Sequence, residues 1–386
     1  MELHGKILAE GLINRGHTLD IITTRHPQKS YGAGSDNLRL HYLKNTKFGS
    51  YIKGWKKECI NKLVELNNIP KFDIIWSQSY AGYPYTLDLK KELGIPMVSI
   101  LQGTVAQAFS SLLINKGKSQ TIPLYKLSSL VRTFYDYFFV HLPVLKNSDI
   151  VICVSKEIEQ EVRRFYVVKN LDTRVIFNGI DCQQCAPNHI FRDQTRSKYS
   201  ITNQEILLLT LGTLTKEKGH HVALKILKAL ADQGFPIKLI IVGAGPFKDT
   251  LETMASEMGL RNRVIFVGHV SNEDTPAFYN AADIYLFPSF RKEGLPLTVI
   301  EAMSCGKPIV ATRSGSLNGV VKNGFNGFLF PRGNLTAATD FLKILLKDQA
   351  LARSMSVNAR NLCLKSFNKE IMLDLTIKTF QSLLTK

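Results

Sequence analysis

A chain of 386 residues is long enough for two or three domains, each with its own core. Its 45% hydrophobic and 21% charged residues exclude a disordered chain, and no apolar run approaches the roughly 20 residues that span a bilayer. The net charge of +17 favours anionic partners, either nucleotide phosphates or an acidic membrane surface; nucleic acid is set aside, because no zinc-finger spacing and no aromatic RNA-binding motif accompany the charge.

Leu3, Ile7, Leu8, Leu12 and Ile13 recur at helical spacing, and Gly16 ends that helix. Strands are then predicted at Thr18–Thr23, Ile74–Ser77, Met97–Leu101, Ile150–Val154 and Arg174–Phe177. A second series follows at Ile206–Leu211, Lys238–Val242, Val264–Val267, Ile284–Phe287 and Ile309–Ala311. Strands alternating with helices predict an α/β protein with parallel sheets, and the polar, turn-rich stretch Asn178–His189 reads as a hinge between two such domains. A doubly wound domain places a strand before its first helix, and none precedes this one; the expectation is a truncated first domain with a gap or altered order in its sheet, the alternative a true start at Met1 with a helix as the first element. The start shows no basic-then-apolar secretory pattern, so a cytoplasmic protein is expected. Cys59, Cys153, Cys182, Cys185, Cys305 and Cys363 are too scattered for a disulfide framework, and the Cys182-x-x-Cys185 pair has no second pair nearby to complete a zinc site.

Two first-domain segments mix basic and aromatic residues. Lys44, Lys47, Lys53, Lys56 and Lys57 surround Tyr51 and Trp55, and Pro123–Leu145 carries Leu127, Leu130, Phe134, Tyr137 and Phe138 near helical spacing, with Lys126 and Arg132 between. They suit either peripheral contact with an anionic membrane or a core helix beside a solvated lysine face.

The most informative stretch runs from Arg291 to Pro308. Pro296 opens a short helix, Leu297 to Cys305, and Gly306 with Pro308 closes it. The N–H groups at the helix start, around Leu297 and Thr298, make a natural diphosphate site, which the backbone of Gly294 lets a ligand approach. Glu293 and Glu301 would be repelled by phosphate but suit sugar hydroxyls, which donate to carboxylates. Taken alone, they equally suit a solvated loop and a salt-bridged helix. Three further loops follow strands: Gly212-Thr-Leu-Thr-Lys-Glu-Lys-Gly219, whose Lys218 can reach an anionic leaving group; Ile241-Val-Gly-Ala-Gly-Pro246, which lacks the third glycine of a dinucleotide fingerprint; and Gly268-His269-Val270. All lie at strand C-terminal ends, where open α/β sheets bind ligands.

The E-x7-E element from Glu293 to Glu301, followed by Ala-Met-Ser-Cys-Gly-Lys-Pro-Ile-Val-Ala-Thr, resembles glycosyltransferase family 4, the retaining GT-B enzymes. Asp149–Ser155 and Arg174-Val-Ile-Phe-Asn-Gly-Ile-Asp181 resemble the family's strand and hinge, and Glu2-Leu3-His4 with Arg15-Gly16-His17 its first helix. The resemblance implies two Rossmann-like doubly wound domains facing a cleft: an acceptor-side domain at 1–177 with His4, Gln102 and Gly103, a hinge at 178–190, a donor domain at 191–368, and a last helix at 369–386 that packs back on the first domain. It implies that Glu301 holds the donor ribose and Glu293 contacts the transferred sugar. Lys218 and the amides around Leu297 and Thr298 would bind the diphosphate, Gly212, Thr213, Gly243 and Gly294 would lie against the donor, and Val270 would line the base pocket. The implied partners are a UDP- or GDP-sugar donor and a glycan or lipid-linked acceptor, with no metal and no other cofactor.

The chain departs from the family's pattern at several points. Thr213 replaces an arginine that shares the diphosphate, Gln102 a histidine, Ser316 a glycine and Gly319 a glutamate, and the family's opening strand and Gly-Gly loop are missing. A catalytically impaired nucleotide-sugar binder or scaffold is therefore an alternative to an active retaining transferase. A GT-B sugar-nucleotide epimerase is another, and a Rossmann dehydrogenase is disfavoured because no complete G-x-G-x-x-G opens either half.

Overall fold

A computed structural model describes residues 2–24, 37–46, 54–67, 72–105, 107, 124–166 and 168–385. They form two compact units. The first holds the described residues up to Gly179 together with those from Glu370 onward, and the second holds Ile180–Lys369.

In the first unit the helix Glu2–Ile13 leads into strands β1 (Leu19–Thr24) and β2 (Leu38–Leu43), which pair in parallel. Strands β3 (Ile75–Gln78), β4 (Met97–Leu101), β5 (Ile150–Cys153) and β6 (Thr173–Val175) form a separate parallel sheet in that order. Among the described residues no strand joins the two sheets, so β1 and β3 are both edge strands. One core nevertheless serves both. Trp55, Cys59 and Leu63 of the helix Trp55–Leu66 pack with Ile22 of β1, Leu43 of β2, Ile75 of β3 and Met97 of β4. β4 and β5 are buried at every residue, the pattern of central parallel strands covered on both faces. β2 was not expected: its Leu-Arg-Leu-His-Tyr-Leu alternation is short, and its charged positions serve Asp20 of β1, which takes two bonds from Arg39 (2.9 and 2.5 Å) and lies 2.7 Å from His41.

Two expectations about this unit change. Trp55 does not belong to a basic-aromatic surface. It is 2% exposed, and its indole N–H donates to the Ala81 carbonyl at 2.9 Å, because a large ring with one donor is best satisfied inside. Beside it, Lys56 pairs with Asp88 at 3.1 Å; Tyr51, Lys47 and Lys53 lie outside the described residues. The Pro123–Leu145 segment is not one uniform helix: it runs as a helix at Leu124–Asp136, a π-helical stretch at Tyr137–His141 and a second helix at Leu142–Asn147. Pro123 and the side chains of Lys126 and Leu127 lie outside the described residues. The C-terminal helix Lys369–Leu384 joins this unit from Glu370 on, where Arg15 bonds Glu370 (2.7 Å) and Asp374 (3.0 Å).

The second unit is one six-stranded parallel sheet in the order β12-β11-β10-β7-β8-β9. The strands are β7 (Ile206–Leu211), β8 (Ile237–Val242), β9 (Val264–Gly268), β10 (Ile284–Phe287), β11 (Ile309–Thr312) and β12 (Gly327–Phe330). β12 was missed in the sequence, because Gly-Phe-Leu-Phe is too short to show a period. The near-continuous apolar runs of β7 and β8 are covered by the helix His220–Ala231, which buries Val222, Ala223, Leu224, Ile226, Leu227 and Leu230. The chain winds outward from β7 toward β9 on one side and from β10 toward β12 on the other. The reversal of strand order therefore lies between β7 and β10, the position where open α/β sheets accept ligands.

Candidate functional site

Two loops follow the strands that flank this reversal. Gly212–Gly219 leaves β7, and Pro288–Pro296 leaves β10. They are tied together: the Phe290 N–H donates to the Glu217 carbonyl at 2.8 Å, and Lys218 Nζ lies 2.8 Å from Glu293 Oε1. Both side chains of this ion pair keep some exposure, 24% for Lys218 and 16% for Glu293, so each remains accessible to a ligand. The Glu293 loop is held from below by Ser316, whose N–H and hydroxyl both reach the Glu293 carbonyl at 3.4 Å. Next to it, Gly315 has φ +53, and a Cβ there would stand 2.5 Å from the same carbonyl oxygen, so only glycine fits.

The helix Leu297–Ser304 begins after Pro296 with no side-chain cap and ends at Cys305 and Gly306. Leu297 and Thr298 are half-buried at its start, and Gly294 is buried just ahead of it. Glu301 is 7% exposed, and its Oε2 accepts a 2.7 Å hydrogen bond from the hydroxyl of Tyr279, itself fully buried on the helix Thr275–Ala281. Burial raises the Glu301 pKa, and the Tyr279 bond opposes that rise. Tyr279 carried no sequence signal: it lies 22 residues upstream of its partner in an unremarkable aromatic position.

The loops after β7, β8 and β9 are knitted by backbone bonds. The Gly212 N–H donates to the Val242 carbonyl (3.0 Å), the Gly243 N–H to Gly268 (2.8 Å) and the Leu214 N–H to Ala244 (2.9 Å). A Cβ on Gly243 would stand 1.9 Å from the Gly212 carbonyl oxygen, which explains the glycines without a dinucleotide fingerprint. Thr213 is exposed on this rim, and Val270 is half-buried just past β9. His220 was not singled out in the sequence. It is 1% exposed beside the Lys218 loop, its Nδ1 lies 3.3 Å from the Thr210 hydroxyl, and burial pushes its pKa down to about 4. A cavity of about 480 Å³ lined by Glu252, Ser256, Arg261, Val264 and Phe266 shares none of these residues and carries no comparable constellation.

In the first unit, His4 is 3% exposed and burial pushes its pKa down to about 4; its neutral Nδ1 accepts from Gln78 Nε2 at 3.0 Å. Gln102 and Asn178 exchange two amide hydrogen bonds, at 3.1 and 2.9 Å, so both ends of the Gln102 amide are engaged. Gly103 is half-buried next to it. Among the described residues no three His, Cys, Asp or Glu side chains converge in a metal-ligating group, and no helix is long and apolar enough to cross a membrane. All six cysteines are free and buried; Cys182 faces Cys363, with the sulfurs 3.8 Å apart, rather than Cys185.

Residues 191–362 match the family Glycosyl transferases group 1, and residues 1–184 match Glycosyltransferase Family 4. An uncharacterised glycosyltransferase of Methanocaldococcus jannaschii is 26% identical over 86% of this chain and 81% of its own length. A GDP-mannose-dependent alpha-(1-6)-phosphatidylinositol monomannoside mannosyltransferase of Mycolicibacterium smegmatis is 30% identical over 49% of this chain, which spans about half (51%) of that relative. The structure of sucrose-phosphate synthase from Thermosynechococcus elongatus superposes with a TM-score of 0.81 at 21% identity, covering 99% of this chain and 93% of that one. With the parallel sheets of both units and the two family matches running along both halves, the chain belongs to the family 4 glycosyltransferases of the GT-B fold.

Proposed function

We propose that the chain moves a sugar, with retention of anomeric configuration, from a UDP- or GDP-sugar to a glycan or lipid-linked acceptor. The observation that carries this reading is the meeting of Lys218 and Glu293, 2.8 Å apart, at the strand-order reversal, with the start of the Leu297–Ser304 helix in the same loop. A cation and a row of backbone N–H groups suit a diphosphate, and a carboxylate suits sugar hydroxyls. When the donor arrives, its diphosphate takes over Lys218 and a sugar hydroxyl donates to Glu293, so the resting ion pair is exchanged for two ligand contacts.

The bond from the anomeric carbon to the diphosphate oxygen then breaks, with its electron pair leaving on the diphosphate. The acceptor hydroxyl oxygen forms the new bond on the same face, and its proton passes to the departing phosphate oxygen. Lys218 and the helix amides stabilise the charge that develops there, which is the main work of such a site. Glu301, aimed by Tyr279, holds the ribose, and no protein nucleophile or metal is required. The relative named for GDP-mannose and a phosphatidylinositol mannoside supports a nucleotide-sugar donor and a lipid-linked acceptor.

The impaired-binder reading has its own support: Thr213 brings no cation to the rim, and both ends of the Gln102 amide are engaged by Asn178. Incubating the chain with UDP- and GDP-sugars and a panel of acceptors, with and without EDTA, tests both. Transfer that persists in EDTA, with the product anomer matching the donor by NMR, supports the transferase. Saturable nucleotide-sugar binding with no turnover supports the binder.

A further inference from the structure

We propose that the exposed aromatic face at Val131–Phe139, with the basic end of the neighbouring helix Lys156–Phe165, seats the chain on an anionic lipid bilayer. Val131, Phe134, Tyr135, Phe138 and Phe139 are 63, 57, 57, 54 and 59% exposed. Their spacing puts them on one side of consecutive helical turns, and the rings of Tyr135 and Phe139 stack 4.8 Å apart.

The opposite side is anchored in the unit. The Tyr137 hydroxyl donates to the Phe165 carbonyl at 2.7 Å, the Tyr137 ring stacks on Tyr166 at 5.0 Å, and His141 stacks on Tyr80 at 3.5 Å. Val144 and Leu145 just beyond are fully buried. The segment is thus fixed by one face while the other offers rings to solvent, which a folded protein rarely does with so many large residues together.

The Tyr137–Phe165 bond brings the end of helix Lys156–Phe165 alongside. Phe165 is 47% exposed there, Arg164 sits over its ring at 5.5 Å, and the Arg163 and Arg132 side chains are 58 and 65% exposed. Two carboxylates share the region: Glu159 pairs with Arg163 at 3.1 Å, and Asp136 lies 3.7 Å from Arg132. Aromatic rings ringed by guanidinium groups match the headgroup layer of a membrane, where rings settle at the interface and cations meet lipid phosphates. The chain's net charge of +17 strengthens this match and opposes a second copy as occupant, since two such faces would bring like charges together. The inference deepens the lipid-linked acceptor of the transferase reading and rests on it only for placing acceptor and enzyme on one surface. Binding is measured without donor or acceptor, so a failed transfer assay leaves it standing.

The test is sedimentation of the full chain with phosphatidylcholine vesicles, with or without an equal part of phosphatidylglycerol, across a salt series, with light scattering alongside. The expected result is at least about tenfold more binding to the anionic vesicles, falling as salt screens the charge. The triple variant Phe134→Ser, Phe138→Ser, Phe139→Ser should lose binding by tenfold or more while keeping its circular dichroism. The pair Arg132→Gln, Arg164→Gln alters no buried residue and provides a second arm should the triple variant misfold; each lost arginine should weaken anionic binding about fivefold. Equal binding to neutral and anionic vesicles, or binding unchanged in the arginine pair, overturns the proposal. So does a dimer seen by light scattering that the triple variant abolishes without change in vesicle binding, which would assign the face to a second copy.

Discussion

Lys218 and Glu293 form an ion pair of 2.8 Å across the two loops that flank the reversal in strand order. In the proposed reading a donor separates the pair, its diphosphate meeting Lys218 and its sugar meeting Glu293.

Lys218→Ala is expected to lower kcat/KM for the donor by roughly 10- to 150-fold, the equivalent of a charge-assisted contact of about 1.5–3 kcal/mol. Binding of the free nucleoside diphosphate should weaken in parallel, since the lysine meets the phosphates rather than the sugar. Glu293→Gln should leave diphosphate affinity equal or improved, because Lys218 is released, while sugar transfer slows. Isothermal titration with the nucleoside diphosphate and with the intact donor separates the two effects. Diphosphate affinity that falls equally in both variants would contradict the exchange of partners.

Glu301 allows a pH prediction. Burial raises its folded-state pKa above that of the unfolded chain, so the native state favours the protonated form. That contribution is full below the ordinary glutamate range and is lost as pH rises through the folded value. Glu301→Gln should therefore melt higher than the parent at pH 8 and converge with it near pH 4, yet bind the donor more weakly at pH 8. Tyr279→Phe should weaken donor binding without this stabilisation, because it removes the 2.7 Å bond that aims the carboxyl. Melting curves at the two pH values and calorimetry with donor check both statements; a Glu301→Gln melting difference that ignores pH would count against an ionised, buried carboxyl.

Gly315→Ala should damage stability and activity together. Its Cβ would press on the Glu293 carbonyl oxygen at 2.5 Å, in addition to the strain of φ +53. Gly324→Ala is the control: φ is +77 but nothing lies within 4 Å, so only the left-handed backbone is penalised, at about 1–2 kcal/mol. The expected outcome is a comparable or larger fall in melting temperature for Gly315→Ala, with a raised donor KM seen in that variant alone. Normal KM in both would show that the Glu293 loop tolerates the displacement.

Much of this protein was legible in its residues. Apolar runs such as Ile206–Leu211 and Ile284–Phe287 announced buried parallel strands because both faces of such strands demand hydrophobic side chains. The Pro296-to-Pro308 punctuation marked a short helix for the same local reason, that proline and glycine act on their own backbone. Tertiary structure alone decided the pairings between distant positions. Nothing local distinguishes Tyr279 as the donor to Glu301, Asn178 as the partner that engages Gln102, or Trp55 as a core residue among lysines. Secondary structure answers to forces within a few residues along the chain, whereas a buried hydrogen bond or an exposed ring depends on which segments the packed sheet brings side by side.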